Sequence, residues 1–112
     1  MKVKVIQEHP GEGEFPTFEK GTAVAMAQDE DTHFLHWYAC DIAGYQTYVP
    51  GIFVRDGRLT RDYNPTELIQ EAGDILEVWE IIHAWLLATN EQGITGWIPA
   101  EAVVAEKVSF DG

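Results

Sequence analysis

The sequence predicts an all-β fold of two small β-barrels that lie in tandem and pack closely. Helical periodicity is scarce, whereas short runs rich in β-branched and aromatic residues are frequent. Clusters of Gly, Pro, Asp and Asn separate many of these runs at intervals of roughly 8–12 residues, which is typical of sandwiches and small barrels. An internal repeat then indicates two copies of one β unit.

Strand-like runs extend along nearly the whole chain. One segment, residues 65–78, is a helical candidate, but Gly73 lies inside it and costs a helix about 1 kcal/mol relative to alanine. The residues after that glycine have a stronger strand pattern. The predicted strands are Val3–Ile6, Ala23–Met26, Phe34–Ala39, Tyr45–Val49, Ile75–Trp85, Trp85–Thr89 and Thr95–Ile98.

The internal repeat ends, in each copy, at a proline inside an apolar run. GYQTYVPGIFV (44–54) aligns with GITGWIPAEAVV (93–104), so that Pro50 matches Pro99. Proline cannot donate a hydrogen bond to a β ladder and is rare in strand interiors. Each proline is therefore expected to open a short turn before the last strand of its copy.

Upstream segments extend the repeat and set the domain boundaries. KGTAVAM (20–26) aligns with AGDILEV (72–78). The predicted domains are residues 1–54 and 58–106, followed by a C-terminal tail at 107–112. Because units of about 50 residues are marginally stable alone, we expect the two copies to share part of their core.

The charge of the chain limits the partners it can bind. The formal net charge is −12, and nine acidic residues with no Lys or Arg occur from Asp62 to Glu106. Such a surface repels nucleic acid and anionic lipid, so we expect neither nucleic-acid nor membrane binding. It favours a protein or peptide partner with basic residues, although the same charge also serves solubility alone.

Residues that carry chemistry are few. The single cysteine, Cys40, cannot form an internal disulfide, which favours a reducing, cytoplasmic location, and its apolar context predicts a core position. His33 and His36 have the wrong spacing to share one strand face, so we expect no metal site. No phosphate loop or nucleophile signature is present, and we expect neither enzymatic activity nor a cofactor.

The second copy resembles the Src-homology-3 (SH3) family along residues 59–104. The first copy matches only in part, best over 18–26 and 37–54. The segments that carry the resemblance are RDY (61–63), similar to the end of the family's Ala-Leu-Tyr-Asp-Tyr strand, ELIQEAGD (67–74), similar to its Glu-Leu-x-Phe-x-x-Gly-Asp segment, WLLA (85–88), similar to its paired-tryptophan strand, and GWIPAEAV (96–103), similar to its Gly-x-Ile-Pro-Ser-Asn-Tyr-Val ending.

The resemblance implies a non-enzymatic protein-interaction module that binds proline-rich or basic peptides in a groove of aromatic side chains. Flanking acids then pair with Lys or Arg of the ligand. Arg61 and Ala102 replace two of the family's groove tyrosines. The implied ligand-binding residues are Trp37, Pro50, Phe53, Tyr63, Trp85 and Pro99, and the implied flanking acids are Glu12, Glu14, Asp29, Glu30 and Asp31.

Two alternatives stay open at this point. His36 or Trp37 occupies the groove position of the first copy, because a slip of one residue moves a side chain to the other strand face. The aromatic side chains of the two copies, which we call the two aromatic sets, can also be buried, either between the two copies or in a homodimer. In that case the protein is structural and binds no peptide.

Overall fold

The computed structural model describes residues 1–11, 14–26 and 36–105, which form an all-β protein. The predicted all-β class is confirmed. The predicted tail at 107–112 lies outside the described residues, as do Glu12, Asp29, Glu30, Asp31 and His33. The strands are β1 (Lys2–Val5), β2 (Val24–Met26), β3 (Trp37–Ile42), β4 (Tyr45–Pro50), β5 (Val54–Arg55), β6 (Arg58–Leu59), β7 (Ile75–Ile82), β8 (Trp85–Thr89), β9 (Thr95–Pro99) and β10 (Val103–Ala105), and the 3₁₀ helices are Gly51–Phe53 and Ala100–Ala102.

The strands of the described residues form three sheets. The largest has five strands in the order β10-β1-β7-β8-β9, the second has the order β2-β3-β4, and the third pairs β5 with β6. Neighbouring strands are antiparallel throughout. The sheets do not close into a barrel within the described part of the chain.

The chain divides into two compact units whose boundaries differ from the predicted domains. The split unit combines Met1–Glu12 with Glu67–Gly112, and the inserted unit is Gly13–Thr66. The repeat predicts 1–54 and 58–106 instead. The difference arises because β1 pairs with β7 and β10, so the first strand belongs with the C-terminal half of the sequence.

Strand β1 lies between β10 and β7 in the five-stranded sheet of the split unit. Its alternating sequence KVKV directs Val3 and Val5 into the core and both lysines to the surface. Burial of each valine contributes about 1.5–3 kcal/mol. The core cluster around them consists of Leu68, Leu76, Val78, Leu86, Ala88, Ile98 and Ala102.

Strand β6 has the corresponding position in the inserted unit. It pairs with β5 on one side, and on the other its Arg58 bridges Ala23, next to β2. The Leu59 amide donates to the carbonyl of Thr22 at 2.9 Å, which continues this pairing. The strand order β5-β6-β2-β3-β4 of the inserted unit therefore matches β10-β1-β7-β8-β9 of the split unit.

Backbone hydrogen bonds confirm that β1 and β6 are equivalent. The amide of Gly73 donates to the carbonyl of Val5, and the amide of Gly21 donates to that of Leu59, both at 2.8 Å. Beyond these strands, residues 9 and 70 exchange two backbone bonds, as do residues 63 and 18. We call β1 and β6 the opening strands, because each precedes one copy of the repeat in the sequence. Strand β1 precedes the first copy but pairs with strands of the second, and β6 precedes the second copy but pairs with strands of the first. We call this arrangement the strand exchange.

Paired cysteines test the strand exchange. In a Cys40→Ala background, Lys4→Cys with Ile75→Cys should form a disulfide, because these residues are directly opposite in antiparallel strands. The matched control is Lys4→Cys with Ala23→Cys, which should stay reduced because Arg58 already lies opposite Ala23. Mobility on a non-reducing gel and peptide mass mapping report the crosslink, and crosslinking in the control pair instead would contradict the exchange.

Candidate functional site

The strand exchange redistributes the six side chains predicted to bind a ligand. Tyr63 resembles a groove residue of the second copy in the sequence, but in the structure it belongs to the inserted unit, with the first copy. The inserted unit therefore holds Trp37, Pro50, Phe53 and Tyr63, whereas the split unit holds Trp85 and Pro99.

A tryptophan lies opposite a proline in each unit. Trp37 pairs with Pro50 across β3 and β4, and Trp85 pairs with Pro99 across β8 and β9. Each proline is the N-cap of a 3₁₀ helix, as the sequence predicts for a turn at these positions. Of the two residues His36 and Trp37, the pairing shows that Trp37 is equivalent to Trp85.

The backbone around each tryptophan–proline pair is also equivalent. The Gly51 amide donates to the carbonyl of His36 at 3.0 Å, and the Ala100 amide donates to that of Ala84 at 2.8 Å. His36 and Ala84 both have φ of 70°, a left-handed conformation that is uncommon for residues other than glycine. His36 is therefore equivalent to Ala84, directly before the strand, and not to Trp85.

The aromatic side chains of the inserted unit contact one another closely. The rings of Phe53 and Tyr63 lie edge to face with centroids 5.6 Å apart. The Tyr63 hydroxyl donates to the backbone carbonyl of Tyr48 at 2.6 Å. Arg61 stacks its guanidinium 4.5 Å from the centre of the Phe53 ring, a cation–π contact. The cluster is therefore held together by directional contacts as well as by burial.

In the split unit, His9 has the position that Tyr63 has in the inserted unit. Its Nε2 lies 2.8 Å from Oε1 of Glu67, and its ring meets the Trp85 ring edge to face at 5.9 Å. The sequence prediction missed His9. Alignment of VIQEH (5–9) with LTRDY (59–63) identifies it, but only once the two opening strands are compared directly.

All six predicted ligand-binding side chains are buried. Tyr63 is 3% exposed, and even the most exposed of the six, Trp85, is only 9% exposed. A peptide groove needs accessible aromatic rings, so this burial weakens the expectation of an open groove. The six side chains contribute to packing rather than to an exposed surface.

Other large apolar side chains are exposed. In the split unit the most conspicuous is Trp79, which is 63% exposed on β7. The sequence prediction treated it only as part of a strand. In the inserted unit the exposed side chains include Tyr38, Tyr48 and Ile52, and the predicted flanking residue Glu14 is exposed as well.

Cys40 is a buried core residue, as predicted. It lies in β3, and desolvation by burial, with a smaller effect of the Asp41 charge, raises the pKa of its thiol from 9.0 to about 12. The thiol is therefore neutral at physiological pH, which disfavours nucleophilic chemistry.

In residues 1–11, 14–26 and 36–105, no three His, Cys, Asp or Glu side chains cluster as metal ligands. The same ranges contain no helix with the length and apolarity of a membrane span.

No protein-family model, curated protein or solved structure matches the chain.

The raised pKa of Cys40 predicts a pH dependence of stability. The folded-state pKa of about 12 exceeds the unfolded value near 9.0, so the contribution is complete below the unfolded pKa and is lost as the pH rises through the folded pKa. The free energy of unfolding should therefore fall across this window. Urea titrations of wild type and Cys40→Ala at several pH values measure the difference, and identical pH profiles would contradict the burial of a neutral thiol.

Proposed function

We propose that the chain is a cytoplasmic, non-enzymatic protein–protein interaction module. It is built from two SH3-like units that exchange their opening strands, and it binds a partner that carries basic residues. The observation that supports this most is the match between the two units. Both have the same order of neighbouring strands, which in the inserted unit is completed by the Arg58–Ala23 bridge, the same tryptophan–proline pair and the same proline-capped 3₁₀ helix, in agreement with the SH3 resemblance.

The family's groove positions act as packing in this proposal. The Tyr63 hydroxyl donates a hydrogen bond to the backbone carbonyl of Tyr48, and the Arg61 guanidinium lies over the Phe53 ring. A basic ligand approaching Phe53 would therefore meet a positive charge. Partner binding is assigned instead to exposed side chains outside the two aromatic sets.

Charge supports a basic partner. The nine acids between Asp62 and Glu106 belong mostly to the split unit, where β1 contributes Lys2 and Lys4. A protein surface of opposite charge would be attracted over distances of about one Debye length, roughly 8–10 Å at physiological salt. Exposed apolar side chains then supply the contact area that charge alone does not provide.

Three short labelled peptides of equal length test the proposal. One alternates Arg and Ser, one alternates Glu and Ser, and one is proline-rich with flanking lysines. The Arg peptide should bind, with an affinity that falls as salt rises from about 50 to about 500 mM. The Glu peptide should not bind. The proline-rich peptide should bind no better than the Arg peptide, since the tryptophans of both aromatic sets are buried.

Fluorescence anisotropy of the peptides gives the affinities, and sedimentation velocity gives the oligomeric state. Failure of the Arg peptide to bind at low salt would overturn the proposal. If the proline-rich peptide binds preferentially and this preference is lost in Trp37→Phe, the hypothesis of an open peptide groove would be supported instead. Dimerisation with no peptide binding would favour a structural role.

A further inference from the structure

We infer that Trp79, with the carboxylates of Glu77 and Glu80 beside it, is the docking site for an arginine side chain of the partner. We call these three residues the acid–tryptophan surface. The inference rests on the proposed function and names the place and the chemistry of binding. An indole face next to carboxylates suits a guanidinium, which stacks on the ring and bonds to carboxylate oxygens at its edge.

A β-bulge in β7 creates this surface. Val78 pairs with Ala88 and Glu80 pairs with Leu87, so Trp79 is an extra residue with no direct partner in β8. A bulge sets two consecutive residues against one on the neighbouring strand. Trp79 and Glu80 therefore both oppose Leu87, on the sheet face away from the buried Val78 and Ala88.

Glu77 shares this outer face. It lies directly opposite Thr89 in the β7–β8 ladder, and opposite residues of antiparallel strands project to the same side. The Trp79 Nε1 donates to the Thr89 hydroxyl at 2.7 Å, so the indole extends toward the side of the sheet where Glu77 lies. Glu77 and Glu80 therefore share the face of Trp79, one before and one after it along β7.

The indole is held in place although it is largely exposed. Thr89 Oγ1, which accepts the Trp79 hydrogen bond, also lies 2.6 Å from Thr95 Oγ1, so a chain of three polar groups fixes the ring. The indole N–H has a hydrogen-bond acceptor, and 63% of the residue surface stays exposed and can contact a ligand. A preordered aromatic side chain loses little rotamer entropy on binding, which is a property of interface hot spots.

The cations of β1 lie beside Glu77 on this face, and Lys4 is opposite Ile75. Lys2 lies opposite Glu77 across β1 and β7, and the Met1 amino group lies 3.7 Å from Glu77 Oε2. On the β8 side, Leu87 and Thr89 carry no charge. Strand β7 pairs with β8 along most of its length and with β1 over Ile75–Glu77, so a partner that docks on Trp79 meets the side chains of the sheet face.

Affinities of the Arg–Ser peptide for four variants test the inference. Trp79→Ala should weaken binding by about tenfold or more. The matched control is Ile52→Ala, a residue of the inserted unit that is 60% exposed, and it should bind as wild type does. Glu77→Gln with Glu80→Gln should weaken binding and flatten its salt dependence. Thr89→Val should cause a smaller loss, because the ring stays but is no longer fixed.

A Lys–Ser peptide and a spectroscopic measurement complete the design. The Lys peptide should bind more weakly than the Arg peptide to wild type and equally weakly to Trp79→Ala. On wild-type protein, the Arg peptide should shift the indole N–H resonance of Trp79, assigned by its loss in Trp79→Phe. This resonance keeps the inference testable if Trp79→Ala fails to fold.

The outcomes separate this inference from the proposed function. If the Arg peptide binds wild type and Trp79→Ala equally, or shifts only other indole resonances, the acid–tryptophan surface is not the docking site and the proposed function stands. If the Arg peptide does not bind wild type at all, the proposed function fails and the inference fails with it.

Discussion

The pairing of β1 with β7 and β10 is the contact on which the split unit depends. Without it, the five-stranded sheet would lose its second strand from the edge, and Val3 and Val5 would leave the core. Strand β6 performs the same task in the inserted unit. This exchange decides which aromatic residues meet, because it brings Tyr63 to Phe53 and gives Trp85 His9 as its neighbour.

Local patterns in the sequence were sufficient for the all-β class and for the turns at Pro50 and Pro99. They were not sufficient for the partners of the opening strands. Residues 5–9 and 59–63 have similar apolar and charged patterns, so either can pair with either copy, and the choice depends on contacts between distant residues. The sequence also could not predict that the aromatic side chains are buried, since tryptophan and tyrosine occur both in cores and at binding surfaces.

Because the predicted groove residues are buried, a binding site has to be sought among the exposed side chains of the sheet. The bulge at Trp79 breaks the alternation of a regular strand, and period-two patterns in the sequence do not show where such a break occurs. Its effect is to place an aromatic ring and acidic side chains on one face of an acidic chain. The same fold thus explains why the two tryptophan–proline pairs are buried and why a different tryptophan, Trp79, is exposed.

Nuclear Overhauser contacts between backbone protons test the strand exchange most directly. The account predicts contacts of Val5 with Gly73 and Asp74, and contacts of Leu59 with Gly21 and Thr22, as the hydrogen bonds require. Contacts of Leu59 with Gly73 and of Val5 with Gly21 would show instead that each opening strand serves the copy that follows it, and would contradict the account.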